Sequence, residues 1–207
     1  ASPFITKKVD KRVEVCRAVT KTLKCPIVYA CQVGSNDSLI FDGYSLYLDE
    51  NGVLRQVAKG FVEDEMVIDT EKKPYGISYN HDEMYDLYAA LRLGVRDYFK
   101  KSNQKTAIVS LSGGIDSAIV AAIARDALGA ENIIGVHIPS QNTSKESRED
   151  AFKLAENLGI DYKEIPINAT FQHLKEKLEP TFLMEKHLYE NTRAQKDYIT
   201  LENLEAR

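Results

Sequence analysis

The chain has 207 residues, of which 43% are hydrophobic and 28% charged, and its formal net charge at pH 7 is −4. These values are ordinary for a globular protein of one large or two small domains, and they give none of the basic footprint of a general nucleic-acid-binding protein. No apolar stretch approaches the roughly 18 residues that a membrane-spanning helix needs. We therefore expect small-molecule partners, with no nucleic acid and no membrane.

The three cysteines, Cys16, Cys25 and Cys31, cannot all pair within the chain, and their spacing fits no zinc-site pattern. Thiols stay free in a reducing compartment, so this cysteine usage favours a cytoplasmic protein. The N-terminus also lacks the apolar core of a signal peptide. Cys16 falls on the apolar face of a predicted helix and Cys31 in a predicted strand, which indicates buried free thiols.

The first part of the chain predicts one helix followed by a strand meander. Apolar residues recur at helical spacing over about 8–24, and Pro26 ends that pattern. Five short stretches, apolar or alternating, then predict strands at 27–31, 39–41, 44–48, 53–58 and 65–70. The residues Asp49–Gly52 form a strong turn signal between two of them.

The second part predicts strands that alternate with helices. Residues 71–82 are polar, contain Pro74 and Gly76, and predict a linker. The elements predicted after it are a helix at 83–100, a strand at 106–111, a helix at 117–128, a strand at 132–138, a helix at 144–158, a strand at 161–166 and a helix at 168–178. This alternation indicates βαβ units and a parallel sheet, whose ligand binds beyond the carboxyl ends of the strands.

The sequence SLSGGIDSA at 110–118 joins a predicted strand to a predicted helix and predicts an anion site. Backbone N–H groups point outward at such a turn, and the positive end of the helix dipole faces the ligand. Gly113 and Gly114 let the backbone approach a phosphate closely. Asp116 would repel a bare phosphate, which suggests a divalent cation between the two, although an acidic residue is also a favourable helix cap.

The residues Ser112–Ser117, SGGIDS, resemble the pyrophosphate loop of the N-type ATP pyrophosphatases, which adenylylate a substrate oxygen and then displace AMP with a nucleophile. Three further stretches are similar to NAD synthetases: Tyr88–Tyr98, Ile138–Ser144 and Glu202–Arg207. In the last of these, Glu205 stands where the family usually has glutamine. The flanking stretches therefore narrow the resemblance to NAD synthetases.

The first part of the chain resembles the end of a nitrilase-type glutaminase domain, at Ala1–Phe4 with Lys8, at Val33–Ser38 and at Phe41–Ser45. The order of the two parts is that of glutamine-dependent NAD synthetases. This resemblance implies three segments, namely the C-terminal part of the glutaminase domain at 1–70, a linker at 71–82 and the N-terminal part of the synthetase domain at 83–207.

The fold implied by the resemblance is α/β, with a partial nitrilase-like α-β-β-α segment followed by a Rossmann-like parallel-sheet adenine-nucleotide-hydrolase domain. Both ends of the chain interrupt a pattern, and a last helical pattern begins at Tyr198. We therefore expect an internal piece of a longer polypeptide. The resemblance further implies that this longer protein forms a homo-oligomer. The glutaminase triad would lie upstream of Ala1, so no catalytic residue is expected within the chain.

The resemblance also implies the reaction and its site residues. ATP, deamido-NAD and ammonia or glutamine are the implied substrates, and Mg²⁺ is the implied metal, with Asp116 as its ligand. The implied ATP-binding residues are Ser110, Leu111, Ser112, Gly113, Gly114, Ile115, Asp116, Ser117, Ile138 and Ser140. The implied deamido-NAD-binding residues are Asn203 and Arg207, and the implied glutamine-binding residues are Ser2 and Lys8.

Several alternatives remain open from the sequence. The chain could belong to another amidotransferase of the pyrophosphatase group, such as a GMP synthetase, although that predicts a different upstream domain. It could also be a nucleotide-binding module without turnover. Ser2 and Lys8 could be surface residues, and Asn203 and Arg207 a solvated helix end. The four histidines show no metal-ligand spacing, and His137, in an apolar strand, predicts a satisfied core residue.

Overall fold

The structure is a computed structural model, which describes the backbone of residues 2–71, 75–77 and 82–186 and the side chains through residue 178. The α-helices are α1 (Lys8–Leu23), α2 (Glu83–Lys101), α3 (Ile115–Leu128), α4 (Lys145–Leu158) and α5 (Asn168–Lys186). The strands are β1 (Ile27–Tyr29), β2 (Val33–Asn36), β3 (Leu39–Asp42), β4 (Leu46–Leu48), β5 (Leu54–Val57), β6 (Ala107–Ser110), β7 (Ile133–His137) and β8 (Asp161–Glu164). No helix in these residues is both long and apolar enough to cross a membrane.

The chain divides into two units. One contains Ala1–Thr106 and Ile123–Gly129, and the other contains Ala107–Ala122 and the residues from Ala130 onward. In the first unit, β1, β4 and β5 form an antiparallel sheet in the order β1-β4-β5, and β2 pairs with β3 in an antiparallel hairpin.

Two apolar clusters hold the first unit together. In one, Val13 and Cys16 of α1 pack against Leu46, Leu48 and Leu54 of the antiparallel sheet. The other cluster joins α1, the loop before β4 and the segment after β5 to α2, and it consists of Val9, Tyr44, Phe61, Ala89, Ala90 and Leu93. The apolar residues whose spacing predicts α1 from the sequence therefore form the helix face that packs into both clusters.

In the second unit, β6, β7 and β8 form a parallel sheet in that order. Ser110 at the end of β6 lies beside Val136 of β7, so the carboxyl ends of these two strands meet at one edge of the sheet. Gly135 in β7 is closely packed, since a Cβ atom there would lie 2.6 Å from Leu111 Cδ1. This arrangement confirms the predicted α/β class and the parallel sheet.

Some predicted strands are wrong in the first unit. The strand predicted at 65–70 is absent, because this segment pairs with no strand among the described residues and alternation alone does not supply a partner. Val67 in its middle is 88% exposed. The strand predicted at 44–48 begins only at Leu46, since positive φ angles at Gly43 and Tyr44 interrupt the extended chain. The strand predicted at 27–31 ends at Tyr29, so Cys31 lies outside it.

The sequence does not predict one strand and parts of two helices. The sequence of β2, with Gly34, Ser35 and Asn36, carries no apolar alternation. The helix predicted at 117–128 begins two residues earlier, at Ile115, and the helix predicted at 168–178 continues to Lys186. The helix predicted from Tyr198 and most of the predicted linker lie outside the described residues.

Candidate functional site

The glycine loop, Ser112–Gly114, begins where the parallel sheet ends. Leu111 follows β6, is completely buried, and continues the pairing by donating its N–H to Val136 O at 2.8 Å. The helix α3 starts at Ile115, directly after the loop. The first N–H groups of a helix have no acceptor within it, so this junction presents free donors and the positive end of the helix dipole.

Gly113 lies against the first turn of α4. Its φ angle is 84°, and a Cβ atom there would lie 2.4 Å from Ser147 O and 2.8 Å from Ser147 Cα. Ser144 caps α4 by accepting a hydrogen bond from Ser147 N–H at 3.1 Å. Only glycine satisfies both the backbone conformation and this close approach, which places the first turn of α4, with Ser147 O nearest, against the loop.

The serines of the loop bind one another and the backbone. Ser112 N–H donates to Ser117 Oγ at 3.2 Å, and Ser117 Oγ–H donates to Gly114 O at 2.9 Å. Gly114 N–H donates to Ser112 Oγ at 3.2 Å, and the two hydroxyl oxygens lie 3.0 Å apart. The loop is therefore held in a defined shape by hydroxyl groups that lie at its surface.

Asp116 lies exposed in the first turn of α3. Among the described residues, no group of three or more His, Cys, Asp or Glu side chains could hold a metal ion by itself. Mg²⁺ is usually held by one or two carboxylates together with phosphate oxygens and water, so a single exposed carboxylate beside a phosphate loop fits such a shared site. The assignment of Asp116 as a metal ligand stays a prediction.

Ile138 and Ser140 follow β7, at the same edge of the sheet as the glycine loop. Ile138 is exposed, whereas Ser140 lies in a turn in which its N–H donates to Thr143 Oγ1 at 2.9 Å and its Oγ accepts from Asn142 N–H at 3.1 Å. The strand end therefore offers an apolar side chain beside a rigid polar turn. Asn203 and Arg207 lie outside the described residues.

Ser2 and Lys8 lie at one cavity in the first unit, of about 330 Å³. Arg12, which also lines this cavity, donates from Nε to Ser2 Oγ at 3.3 Å and from Nη2 to Ser2 O at 3.0 Å. Lys8 Nζ donates to Pro3 O at 2.8 Å. The cavity therefore brings together the two residues predicted to bind glutamine, and that role stays a prediction.

A buried ion pair supports this cavity and is not predicted by the sequence. Arg12 Nη1 donates to Asp42 Oδ2 at 3.0 Å, and Nη2 donates to Asp42 Oδ1 at 2.7 Å. Burial alone would lower the pKa of Arg12, but the hydrogen bonds and charge of Asp42 raise it overall, so the guanidinium stays charged. The residues are 30 positions apart, which leaves no local signal in the sequence.

The three cysteines are free, as predicted. Cys16 is buried, and burial raises the pKa of its thiol, so it does not have the thiolate character of a nucleophile. Cys25 and Cys31 are only half-buried, so the expectation of a buried thiol is wrong for Cys31.

His137, at the end of β7, is buried with 2% of its area exposed, which confirms the predicted core position. Its Nδ1 lies 2.6 Å from Leu111 O, immediately before the glycine loop. Its Nε2 is buried and has no hydrogen-bond partner among the described residues, so the prediction of a satisfied histidine is wrong.

Comparison with known proteins identifies relatives of both parts of the chain. A family model described as NAD synthase matches residues 87–207. The glutamine-dependent NAD(+) synthetase of Aquifex aeolicus is 35% identical over 83% of this chain and 37% of its own length. That of a Synechocystis species is 38% identical over 88% of this chain and 34% of its own length. The chain thus spans just over a third of these curated relatives.

Solved structures give the same result. The glutamine-dependent NAD+ synthetase of Acinetobacter baumannii, determined in complex with adenosine diphosphate, matches with a TM-score of 0.82 and 35% identity, over 88% of this chain and 36% of that chain. A glutamine-dependent NAD(+) synthetase from Cytophaga hutchinsonii matches with a TM-score of 0.80 and 22% identity, over 100% of this chain and 40% of that chain. The second match shows likeness of fold.

Proposed function

Because the chain belongs to the NAD synthase family, we propose that it contributes the ATP site to an enzyme that amidates deamido-NAD to NAD, with ammonia released from glutamine. In this reaction the nicotinate carboxylate attacks the α-phosphorus of ATP, and pyrophosphate leaves. Ammonia then attacks the adenylylated carbonyl carbon and displaces AMP, which leaves the amide of NAD. The site must therefore stabilise negative charge on a departing pyrophosphate.

The observation that carries this proposal is the glycine loop itself, which opens α3 and lies against the first turn of α4 at Gly113. The loop lies directly before α3, and the first turn of α4 lies so close to Gly113 that no Cβ atom fits between them. Preorganised N–H donors at a site of developing negative charge are among the largest contributions to enzymatic rate acceleration. The complex of the Acinetobacter baumannii enzyme with adenosine diphosphate supports an adenine nucleotide as the ligand.

We assign the ATP-binding residues to the loop and to the neighbouring strand end. Ser112, Gly113, Gly114 and Ser117 hold the pyrophosphate end, flanked by Ser110, Leu111, Ile115 and Asp116. Ile138 and Ser140 lie at the same edge of the sheet, where the apolar side chain of Ile138 suits the adenosine moiety. Asn203 and Arg207 bind deamido-NAD in this proposal.

Asp116 is the proposed ligand of Mg²⁺. The ion, when bound, would neutralise charge on the phosphates of ATP. Asp116 suits this role because its exposed carboxylate lies in the first turn after the loop and would otherwise repel the phosphates.

The first part of the chain supplies the proposed glutamine contacts. Ser2 is held by two hydrogen bonds from Arg12, and Lys8 lines the same cavity. In this proposal residues 1–70 belong to the glutaminase domain, 71–82 form the linker and 83–207 belong to the synthetase domain. The enzyme is a cytoplasmic homo-oligomer.

The test measures NAD formation by the full-length protein from deamido-NAD, ATP with Mg²⁺, and either glutamine or ammonia. We expect Asp116→Asn to lower kcat/KM for ATP by about 10²–10³-fold, the usual effect of losing one charge-stabilising group. Asp161→Asn is the matched control, because it removes an exposed carboxylate that pairs with Lys163 at the surface.

Equal activity of Asp116→Asn and the wild type would contradict the metal assignment. Amidation of xanthosine monophosphate in place of deamido-NAD would instead indicate a GMP synthetase. Nucleotide binding without any product from either substrate would indicate a binding module without turnover.

A further inference from the structure

The last residue before the glycine loop is held by three contacts from β7. Leu111 N–H donates to Val136 O at 2.8 Å, and the Leu111 side chain fills the space over Gly135, where a Cβ atom would lie 2.6 Å from Leu111 Cδ1. The third contact is made by His137, whose Nδ1 lies 2.6 Å from Leu111 O. Backbone pairing and apolar packing account for the first two contacts, but only a side chain can supply the third.

The chemistry of the third contact identifies the tautomer of His137. A carbonyl oxygen only accepts hydrogen bonds, so Nδ1 carries the proton and donates it to Leu111 O. In the neutral ring Nε2 is then an acceptor, and this atom is buried without a partner among the described residues. Among the described residues, the hydrogen bond of this ring is therefore the one from Nδ1 to Leu111 O.

The bond from His137 reaches the loop through one peptide unit. The peptide group between Leu111 and Ser112 is planar, so a fixed direction of Leu111 C=O also fixes the direction of Ser112 N–H. Ser112 N–H donates to Ser117 Oγ at 3.2 Å, and Ser117 Oγ–H donates to Gly114 O at 2.9 Å. His137 thus lies at the start of the hydrogen-bond chain that shapes the loop.

We propose that His137 is a positioning residue for the nucleotide site, which holds the Leu111–Ser112 peptide and, through the bond from Ser112 N–H to Ser117 Oγ, keeps the glycine loop in the shape that receives the pyrophosphate end of ATP. This inference rests on the proposed function, because it assumes that the loop binds ATP. His137 is buried with its ring against Leu111 O, so it acts through the loop and does not touch the substrate.

The test compares three variants of the full-length protein. His137→Leu removes the Nδ1–H donor and fills the same core position with an apolar side chain. His137→Asn keeps a donor, because the amide nitrogen of Asn can take the place of Nδ1. Ile133→Ala is the matched control, since Ile133 is equally buried and lies at the opposite end of β7 from the loop.

We expect His137→Leu to raise the KM for ATP about tenfold, the scale of a small displacement of a binding group, with kcat changed less. His137→Asn should restore most of the wild-type KM. Ile133→Ala should lower the melting temperature without raising the KM for ATP. In the wild type, the ¹⁵N signal of Nδ1 should be that of a protonated nitrogen, and an unprotonated Nδ1 would contradict the hydrogen bond to Leu111 O.

Three results would overturn the role of His137: an unchanged KM in His137→Leu, no rescue in His137→Asn, or an equal rise in KM in Ile133→Ala. Calorimetric titration with ATP and Mg²⁺ separates this inference from the proposed function. A wild-type protein that does not bind ATP contradicts the proposed function and this inference together. A wild type that binds ATP, with His137→Leu binding equally well, contradicts the role of His137 alone.

Discussion

Gly113 and Gly114 are neighbours in the loop, but the structure requires glycine only at the first of these two positions. A Cβ atom at Gly113 would collide with the backbone of Ser147, and the φ angle there is 84°. At Gly114 the nearest atom to a Cβ would be Ser112 Oγ at 3.4 Å, an ordinary contact, and no unfavourable φ angle arises. Gly113 is therefore needed by the fold, and the absence of a side chain at Gly114 leaves room for a ligand.

Substitution by alanine should separate these two roles. We expect Gly113→Ala to lower the free energy of unfolding by about 1–3 kcal/mol through backbone strain and the clash with Ser147. Gly114→Ala should change it by less than about 1 kcal/mol. It should nevertheless weaken ATP binding, because its methyl group would occupy the space that the proposed site gives to a phosphate. Chemical denaturation and ATP titration measure the two effects.

Gly159→Ala provides the control for the positive φ angle alone. Gly159 has a φ angle of 66°, and nothing lies within 4 Å of the position that a Cβ atom would take. Gly159→Ala should therefore lower the free energy of unfolding by about 1–2 kcal/mol, without any effect on ATP binding. Wild-type stability in Gly113→Ala, or wild-type ATP affinity in Gly114→Ala, would contradict this division of roles.

Among the secondary elements, the turn between β4 and β5 depends on one buried carboxylate. Asp49 Oδ1 accepts from Asn51 N–H and Val53 N–H, both at 2.9 Å. Asp49 Oδ2 accepts from Arg55 Nε at 2.9 Å and from Nη2 at 2.6 Å. Burial alone would raise the pKa of Asp49, but the hydrogen bonds from Val53, Arg55 and Asn51 lower it overall.

This lowered pKa predicts a loss of stability in acid. A carboxylate with a lowered folded-state pKa stabilises the fold above its unfolded pKa of about 3.9, and this contribution is lost as the pH falls through the folded-state value. Asp49→Asn should lower the free energy of unfolding by about 1–3 kcal/mol at pH 7. The difference in the free energy of unfolding between Asp49→Asn and the wild type should shrink below about pH 4.

Urea denaturation between pH 2 and pH 7 measures this difference. Asp161→Asn serves as the control, because its exposed pair with Lys163 should contribute less than about 1 kcal/mol at any pH. A constant deficit of Asp49→Asn across this pH range would show that the charge of Asp49 does not stabilise the turn.

At the scale of the whole molecule, α2 belongs to the core of the first unit. Ala89, Ala90 and Leu93 of α2 pack in one cluster with Val9 and Tyr44. Tyr44 Oη–H also donates to the buried Asp86 at 2.6 Å, and Ser35 N–H donates to Asp97 at 2.9 Å. The family model begins at residue 87, so the first helix that it matches folds together with the N-terminal part of the chain.

Two leucines on α2 test this shared core. Leu93 is 2% exposed and Leu91 is 44% exposed. We expect Leu93→Ala to lower the free energy of unfolding by about 2–5 kcal/mol. Leu91→Ala should cost less than about 1 kcal/mol. Because the cluster is shared, Leu93→Ala should also reduce the hydrogen-exchange protection of α1, and full protection of α1 in that variant would argue against one cooperative core.

Much of the second unit is predictable from the sequence because its elements follow local rules. The helix α4 begins after Ser144 and ends at Gly159, a serine cap and a left-handed glycine that are both readable from the chain. Prediction fails for β2 and for residues 65–70 because strand formation depends on a partner. Ser35 pairs with β3 and donates its N–H to Asp97 of α2, so β2 has partners that its sequence does not reveal. Residues 65–70 pair with no strand in the described part of the chain, despite their alternating pattern.

Local patterns in the sequence are enough to establish the α/β class, the parallel sheet and the glycine loop between a strand and a helix, because these depend on periodicity and on residues adjacent in the chain. Three contacts emerge only in the folded chain: the first turn of α4 lies against Gly113, Arg12 pairs with Asp42, and His137 holds Leu111 O. These contacts join residues 26 to 34 positions apart, and packing alone brings such residues together.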